Sequence, residues 1–439
     1  MKDFPKNYKK AYFIGIAGIG VSALAQYFSS QNLLVSGSDL SDCDVLKNKN
    51  ILIYKKHNPS NIKNDTDIVI YSNAITKNNP ELLKAKKMGI KTMSYPEALG
   101  EITKQYFTIA ISGTHGKSTT TAMISSIMMS AKLDPTVIIG TKIKSFKNNN
   151  FRKGKSKYLI IEADEYKAAL LHYYPKIAVI NNIEEDHLDY YKDINAIITT
   201  FKKYVKKNVK ENILVVNKDD KNIQKVLKVY KQNPILFSIK QDKAKTVKLK
   251  IPGNHNIYNA LAALTVAKIL KIKNQTAINA LSNFKGTWRR FEEKKITIKK
   301  NTNIRIINDY AHHPTAVKAT IKAAEEKYKN KEIFLVFQPH QYERTYKLFK
   351  EFQMALSNNF LKKIIITDIY SVKGRESLNI KKKVNSAMLA KGINNAIYIK
   401  NINNIHKYLL KNLQNKNILI IMGAGDIYLL ENKLNINNN

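Results

Sequence analysis

Short apolar, β-prone runs alternate with helical patterns along almost the whole chain, and this alternation restricts the possible folds more than any other feature. Strand-like runs fall at 12–17, 33–39, 67–71, 107–111, 158–162, 177–182, 213–216, 304–308, 333–337, 364–367 and 418–422. Helical patterns lie between them, as at 20–31, 118–131, 255–271, 315–328 and 345–357. Strands separated by helices pair most readily in parallel, and a parallel sheet needs helices on both faces. The expected class is therefore α/β. For 439 residues, domains of about 150 residues give a prior of three. Seams are expected near residues 105 and 285, before a fresh strand and after a long helical region. The expected domains are a Rossmann-like one over 1–105, a P-loop ATPase-like parallel sheet over 106–285, and a smaller Rossmann-like one over 286–439.

The N-terminus offers a competing signal. Ala11 to Ser38 carries no charge after a basic start, and Ala23-Leu24-Ala25 resembles a leader cleavage site. Gly15, Gly18 and Gly20 would break such a helix early, however, and Leu33–Asp39 follows as the second strand of a βαβ unit. No other stretch is long and apolar enough to span a bilayer, so no membrane partner is expected. The single cysteine, Cys43, excludes an intramolecular disulfide and a Cys-based zinc site, and it suits a reducing, cytoplasmic setting.

Gly18-x-Gly20-x-x-Ala23 between strand and helix, with Asp39 at the distance of a ribose-binding acid, fits a dinucleotide fingerprint. Glycines let backbone approach a pyrophosphate, and the helix start supplies unpaired N–H groups. That chemistry suits NAD, FAD or any nucleoside diphosphate.

The second glycine loop is sharper. After the strand Phe107–Ile111 comes Ser112-Gly113-Thr114-His115-Gly116-Lys117-Ser118-Thr119, then a helical run. Backbone N–H groups there would cradle phosphates, Lys117 would reach the terminal ones, and the Ser118 hydroxyl would ligate Mg²⁺. The leading glycine sits three residues before Gly116 rather than five, which departs from the usual P-loop. An ATP-using site is expected. Its acidic metal ligand is expected at a strand end, where Glu162 can share Mg²⁺ with Ser118, and His187 could hold a second ion as neutral imidazole.

Charge points elsewhere at first. Lys and Arg total 74 against 34 Asp and Glu, a net +40, and only six of the 74 are arginine. Such a balance invites a nucleic-acid reading. The lysines are spread from Lys2 to Lys433 without a basic block or a recognition motif, so a solvated lysine-rich surface is expected and no nucleic-acid partner.

Gly-Thr-His-Gly-Lys-Ser-Thr-Thr at 113–120, Glu162-Ala163-Asp164-Glu165 and Asn181-Asn182-Ile183…Asp186-His187-Leu188-Asp189 together resemble the Mur ligase family. So do Gly253–Ala263, Asp309-Tyr310-Ala311-His312-His313-Pro314-Thr315 and Phe337-Gln338-Pro339-His340-Gln341-Tyr342-Glu343-Arg344-Thr345, and the resemblance runs from about residue 12 to 426. It implies ATP- and Mg²⁺-dependent amide formation in peptidoglycan precursor synthesis, joining L-alanine to the carboxylate of UDP-N-acetylmuramate through an acyl phosphate.

Residue by residue, the resemblance implies a uridine diphosphate site at Gly18, Gly20 and Asp39, lined by His57, Ser72 and Asn73. It implies ATP contacts from Gly113, Thr114, His115, Gly116, Lys117, Ser118 and Thr119, adenine recognition by His255, Asn256 and Asn259, and Asp309 near the ribose, with the paired Arg289 and Arg290. Tyr310, His312, His340 and Arg344 are implied for the amino acid and the reacting carboxylate. Lys117, Glu162, His187, His312 and Arg344 form the implied catalytic set, and Ser118, Glu162 and His187 the metal set. His187 and His312 are both candidates to take the ammonium proton of alanine. Gln341 stands where the family usually has arginine, Asn254 where a basic residue is common, and the residues before Arg289-Arg290 are changed. Two alternatives stay open: a related ligase attaching a tripeptide to the same sugar nucleotide, and a nucleic-acid-stimulated P-loop NTPase.

Overall fold

The computed structural model describes residues 3–47, 49–187, 190–240, 246–300, 302–372, 376 and 378–435. The chain divides into two compact units. One comprises Met1–Glu184, Ile194–Leu249 and Ile257–Thr287; the other comprises Glu185–Asp193, Lys250–Asn256 and Trp288–Asn439.

The first unit holds two sheets. Strands β1 (Lys10–Ile14), β2 (Leu34–Ser38), β3 (Leu52–Tyr54), β4 (Ile68–Tyr71) and β5 (Lys91–Ser94) make a wholly parallel sheet in the order β3-β2-β1-β4-β5. The uncharged stretch from Ala11 to Ser38 is thus β1, the helix Ile19–Ser30 and β2, with Phe13, Ile14, Ala23 and Leu24 fully buried. Burying Phe13, Ile14 or Leu24 contributes about 1.5–3 kcal/mol each.

The second sheet contains β6 (Phe107–Ser112), β7 (Thr136–Ile143), β8 (Asn149–Arg152), β9 (Tyr158–Glu162), β10 (Ile177–Ile180), β11 (Ile213–Asn217) and β12 (Ile235–Phe237). Their order is β12-β11-β10-β6-β9-β7-β8, parallel except for the antiparallel pair β7–β8. Ile109, Ala110 and Ile111 of β6 are buried on both faces, as a central parallel strand requires. The two sheets meet through polar as well as apolar contacts: Gln26 donates to Asn150 Oδ1 at 2.9 Å, and Tyr27 packs edge-on against Tyr106 and Phe151.

The second unit is built on β13 (Glu292–Lys299), β14 (Thr302–Asp309), β15 (Ile333–Phe337), β16 (Leu361–Ile366), β17 (Ala396–Tyr398) and β18 (Ile418–Met422), ordered β13-β14-β18-β15-β16-β17. Here β13 and β14 form an antiparallel hairpin, and the remaining pairs are parallel. Two features correct the expected pattern. Both β7–β8 and β13–β14 pair antiparallel, each joined directly by a short connection with no room for a crossover helix. The single helix expected over 345–357 is two, Tyr342–Lys347 and Phe349–Leu356, parted at Leu348 (φ −108°, ψ 28°).

Among the described residues, no helix is long and apolar enough to cross a membrane.

Candidate active site

Strand β6 ends at Ser112 and delivers the glycine loop to the helix Lys117–Ser130. Gly113 (φ +125°) and Gly116 (φ +82°) hold conformations that side-chain-bearing residues resist. Space is short as well. A Cβ on Gly113 would sit 2.9 Å from the Asn182 carbonyl oxygen, and one on Gly116 would overlap Asn259 Oδ1. The loop is clamped from β10: His115 N–H donates to Asn182 Oδ1 at 2.8 Å, and Asn182 Nδ2 donates to the His115 carbonyl at 3.1 Å. Thr114 Oγ1 accepts from Glu184 N at 2.9 Å. Asn259, expected at adenine, accepts at 3.1 Å from Thr120 Oγ1, which in turn accepts from Asn181 Nδ2 at 3.0 Å. Thr119 is buried in the first helical turn.

Lys117, Ser118 and Glu162 are brought together as the spacing suggested. Ser118 Oγ donates to Glu162 Oε2 at 2.9 Å, and Gly140 N–H donates to Oε1 at 2.6 Å. The sequence reading missed the role of Glu165. This buried carboxylate accepts from Lys117 Nζ at 2.9 and 3.2 Å, while Nζ also reaches the Gly113 carbonyl at 2.7 Å. Burial alone would lower the Lys117 pKa, but Glu165, Asp164 and Glu162 hold it above the ordinary lysine value. The acidic motif Glu-Ala-Asp-Glu was the available signal; its fourth position, rather than its first, pins the lysine.

At the C-terminal edge of the first sheet, Asp39 accepts from Ala17 N–H and Ser41 N–H, each at 2.9 Å, which fixes the turn containing Gly18. A Cβ on Gly20 would press on the Tyr95 hydroxyl at 3.0 Å. His57 Nδ1 lies 2.9 Å from Ser38 Oγ and 3.0 Å from Glu81 Oε2. Ser72 Oγ accepts from Ala74 N–H at 3.3 Å, and the Asn73 carbonyl accepts from Lys167 Nζ at 2.7 Å.

The second unit gathers another cluster. Arg344, buried, donates from Nε (3.1 Å) and Nη2 (2.8 Å) to Asp186 Oδ1, and from Nη1 to the His340 carbonyl at 3.1 Å. The His312 ring stands edge-on to Tyr310 and His340 (centroids 5.3 and 5.6 Å), and His340 stacks on Tyr370 at 5.4 Å. Burial would raise the Asp186 pKa, yet Arg344 and the histidines 187, 312 and 313 hold it well below the carboxylate range. Burial, then Arg344 and His340, keep His312 well below the usual imidazole value, so it is neutral. His187 (φ +55°) belongs to this unit beside Asp186.

Asp309 spends its oxygens on Phe291 N–H and Ala311 N–H, each at 2.8 Å, and burial raises its pKa. Arg289 is buried, donates to the Gly423 carbonyl and lies over the rings of Tyr428, Tyr310 and Trp288 at 4.5, 5.1 and 5.4 Å. Arg290 covers Tyr310 at 5.0 Å. At the start of the helix Asn254–Ile269, Asn256 Nδ2 donates to the Pro252 carbonyl at 2.6 Å, and a Cβ on Gly253 would meet the His255 ring at 2.6 Å. Leu188 and Asp189, read from sequence, lie outside the described residues.

Residues 111–246 match the model of the Mur ligase middle domain, 10–107 that of the Mur ligase family, catalytic domain, and 289–425 that of the Mur ligase, glutamate ligase domain. The chain is 41% identical over 449 residues to the UDP-N-acetylmuramate–L-alanine ligase of Clostridium novyi, covering 96% of each. The chain belongs to the Mur ligase family.

Among solved structures, this Mur ligase is similar to the UDP-N-acetylmuramate–alanine ligase of Thermotoga maritima (TM-score 0.80, 25% identity, 97% of this chain and 98% of that one). A murein peptide ligase of Psychrobacter arcticus shares the fold at a TM-score of 0.72 and 21% identity, over 97% of this chain and 98% of its own.

Proposed function

We propose that this Mur ligase joins L-alanine to the carboxylate of UDP-N-acetylmuramate, using ATP, in peptidoglycan precursor synthesis. The observation that carries the reading is the near-full-length identity to a relative bearing that name, 41% over 96% of each chain. The tripeptide-attaching alternative has weaker support, since the murein peptide ligase shares the fold at 21% identity.

The chemistry suits the residues. A carboxylate is a poor acyl donor because oxide leaves poorly. Its oxygen attacks the γ-phosphorus of ATP, the bond to the β–γ bridging oxygen breaks, and ADP departs. The amine of alanine then attacks the acyl carbon, the carbon–oxygen bond to phosphate breaks, and the ammonium proton passes to a base. Both steps depend on positioning and on charge stabilisation at the phosphates. The positive-φ glycines let the loop turn tightly at the end of β6, and the positive Lys117 at the helix start supplies charge for phosphate oxygens.

The paired hard oxygens of Ser118 and Glu162 fit a magnesium ion, and His187 is the third proposed ligand. Bound there, the ion would supply charge neutralisation at the triphosphate. Arg344 uses Nε, both Nη1 hydrogens and one Nη2 hydrogen internally, which leaves one donor for a substrate carboxylate. Of the two candidate bases, His312 is a weak proton acceptor in its surroundings, and His187 could take the ammonium proton only when its ring lone pair is not given to the ion.

Phosphate release tests the proposal. Stimulation that requires both UDP-N-acetylmuramate and an amino acid, greatest with L-alanine across a panel with glycine and L-serine, is expected. Stimulation only by the tripeptide, or only by polynucleotide, would overturn it.

A further inference from the structure

Glu81 has no exposed surface and plays no part in the chemistry above. It is the second residue of the helix Pro80–Lys87, after the cap Asn79, whose Oδ1 accepts from Glu81 N–H at 3.0 Å and Leu82 N–H at 3.1 Å. Its Oε1 accepts from the Tyr12 hydroxyl (2.8 Å), Asn61 Nδ2 (2.7 Å) and Asn58 N–H (3.2 Å). Its Oε2 accepts from Ser38 Oγ and meets His57 Nδ1 at 3.0 Å. One buried carboxylate thereby ties β1 and the last residue of β2 to the segment after β3. This edge of a parallel sheet, beyond the carboxyl ends of its strands, is where such folds bind ligands.

The hydrogen count fixes the imidazole. A carboxylate offers only acceptors, so each group facing it donates. Ser38 gives its single hydroxyl hydrogen to Glu81, so at 2.9 Å from His57 Nδ1 that oxygen accepts. Nδ1 therefore faces two acceptors and carries a proton. Nε2 stands outside the network, on a side chain 19% exposed.

We propose that Glu81 is a positioning residue: it holds His57 through Nδ1–H, so that Nε2 is the ring atom presented to the bound nucleoside diphosphate. The inference rests on the sugar-nucleotide reading of this sheet edge. A buried carboxylate that orients a histidine acts on the ligand only through the ring, and that makes it separable from a structural role.

Two measurements on the full chain decide it. Nitrogen-15 histidine spectra, with His57→Gln to assign the resonance, are expected to show Nδ1 protonated in the wild type. A wild-type ring protonated on Nε2 alone overturns the proposal without a variant having to fold. Calorimetry with UDP as the probe is expected to show about tenfold weaker binding for Glu81→Gln and for His57→Ala, the size of one lost hydrogen bond. The double variant should be no weaker than His57→Ala. Unchanged UDP affinity in His57→Ala, or a further loss on adding Glu81→Gln to it, overturns the positioning role while the ligase assignment stands. Failure of the wild type to bind UDP overturns both.

Discussion

Lys117 keeps its charge in a place where desolvation works against it, because three carboxylates surround it. Lys117→Met is expected to cut substrate-stimulated phosphate release by about 10²–10³-fold, the usual loss for one charge-stabilising donor. Lys117→Arg should not restore it, since a planar fork cannot replace a point charge reaching the Gly113 carbonyl and Glu165 together.

His312 and Asp186 make separable pH predictions. His312 is depressed in the folded chain, so between that value and its unfolded value near 6.5 the unfolded state binds more protons; stability is full above about 6.5 and falls as pH drops below it. Asp186 is depressed as well, and its contribution is present above an unfolded value near 3.9 and lost as pH falls further. Urea midpoints measured against pH should flatten below 6.5 in His312→Gln, and flatten only below about 4 in Asp186→Asn. An unaltered profile would contradict the burial of His312 in the one variant and the pairing of Asp186 with Arg344 in the other.

Elements differ in how clearly the sequence announces them. Strands β6, β9, β10, β15 and β18 are short apolar runs buried on both faces, and these were legible as strands. The missed ones are edges or near-edges. In β13, Glu292-Glu293-Lys294-Lys295 hides the alternation, and β3, β12 and β17 are only three residues each. Strand β5, Lys-Thr-Met-Ser, buries a single methionine. The phosphate loop is the opposite case, because its glycines are required by backbone angle and by space. Gly116→Ala is expected to destabilise the chain by about 1–3 kcal/mol, the scale of forced left-handed strain. It should also abolish phosphate release by displacing Asn259, as a denaturation midpoint and an activity assay together would show.

For the whole molecule, pairings distant in sequence carry much of the candidate chemistry, and local pattern is blind to them. Arg344 and Asp186 are 158 positions apart, and nothing near either residue announces the other. Lys117 and Glu165 stand 48 apart; the acidic motif was visible, but which carboxylate grips the lysine depends on how β9 ends. Net charge is the inverse case, conspicuous in sequence and dispersed along the chain. Polynucleotide added at about 0.15 M salt, where exposed charges are screened within about 8 Å, should leave phosphate release unchanged. Strong stimulation would instead assign the lysines a partner.

Trp288 is the sole tryptophan, and its ring lies edge-on to Tyr428 at 5.4 Å with the Arg289 guanidinium over it. It opens the longest segment of the unit that carries Arg344 and His312. Excitation at the red edge of indole absorption therefore interrogates that unit alone, and a cation held against the ring makes the emission sensitive to any shift of Arg289. The protein carries its own optical reporter of the third sheet, with no dye to attach.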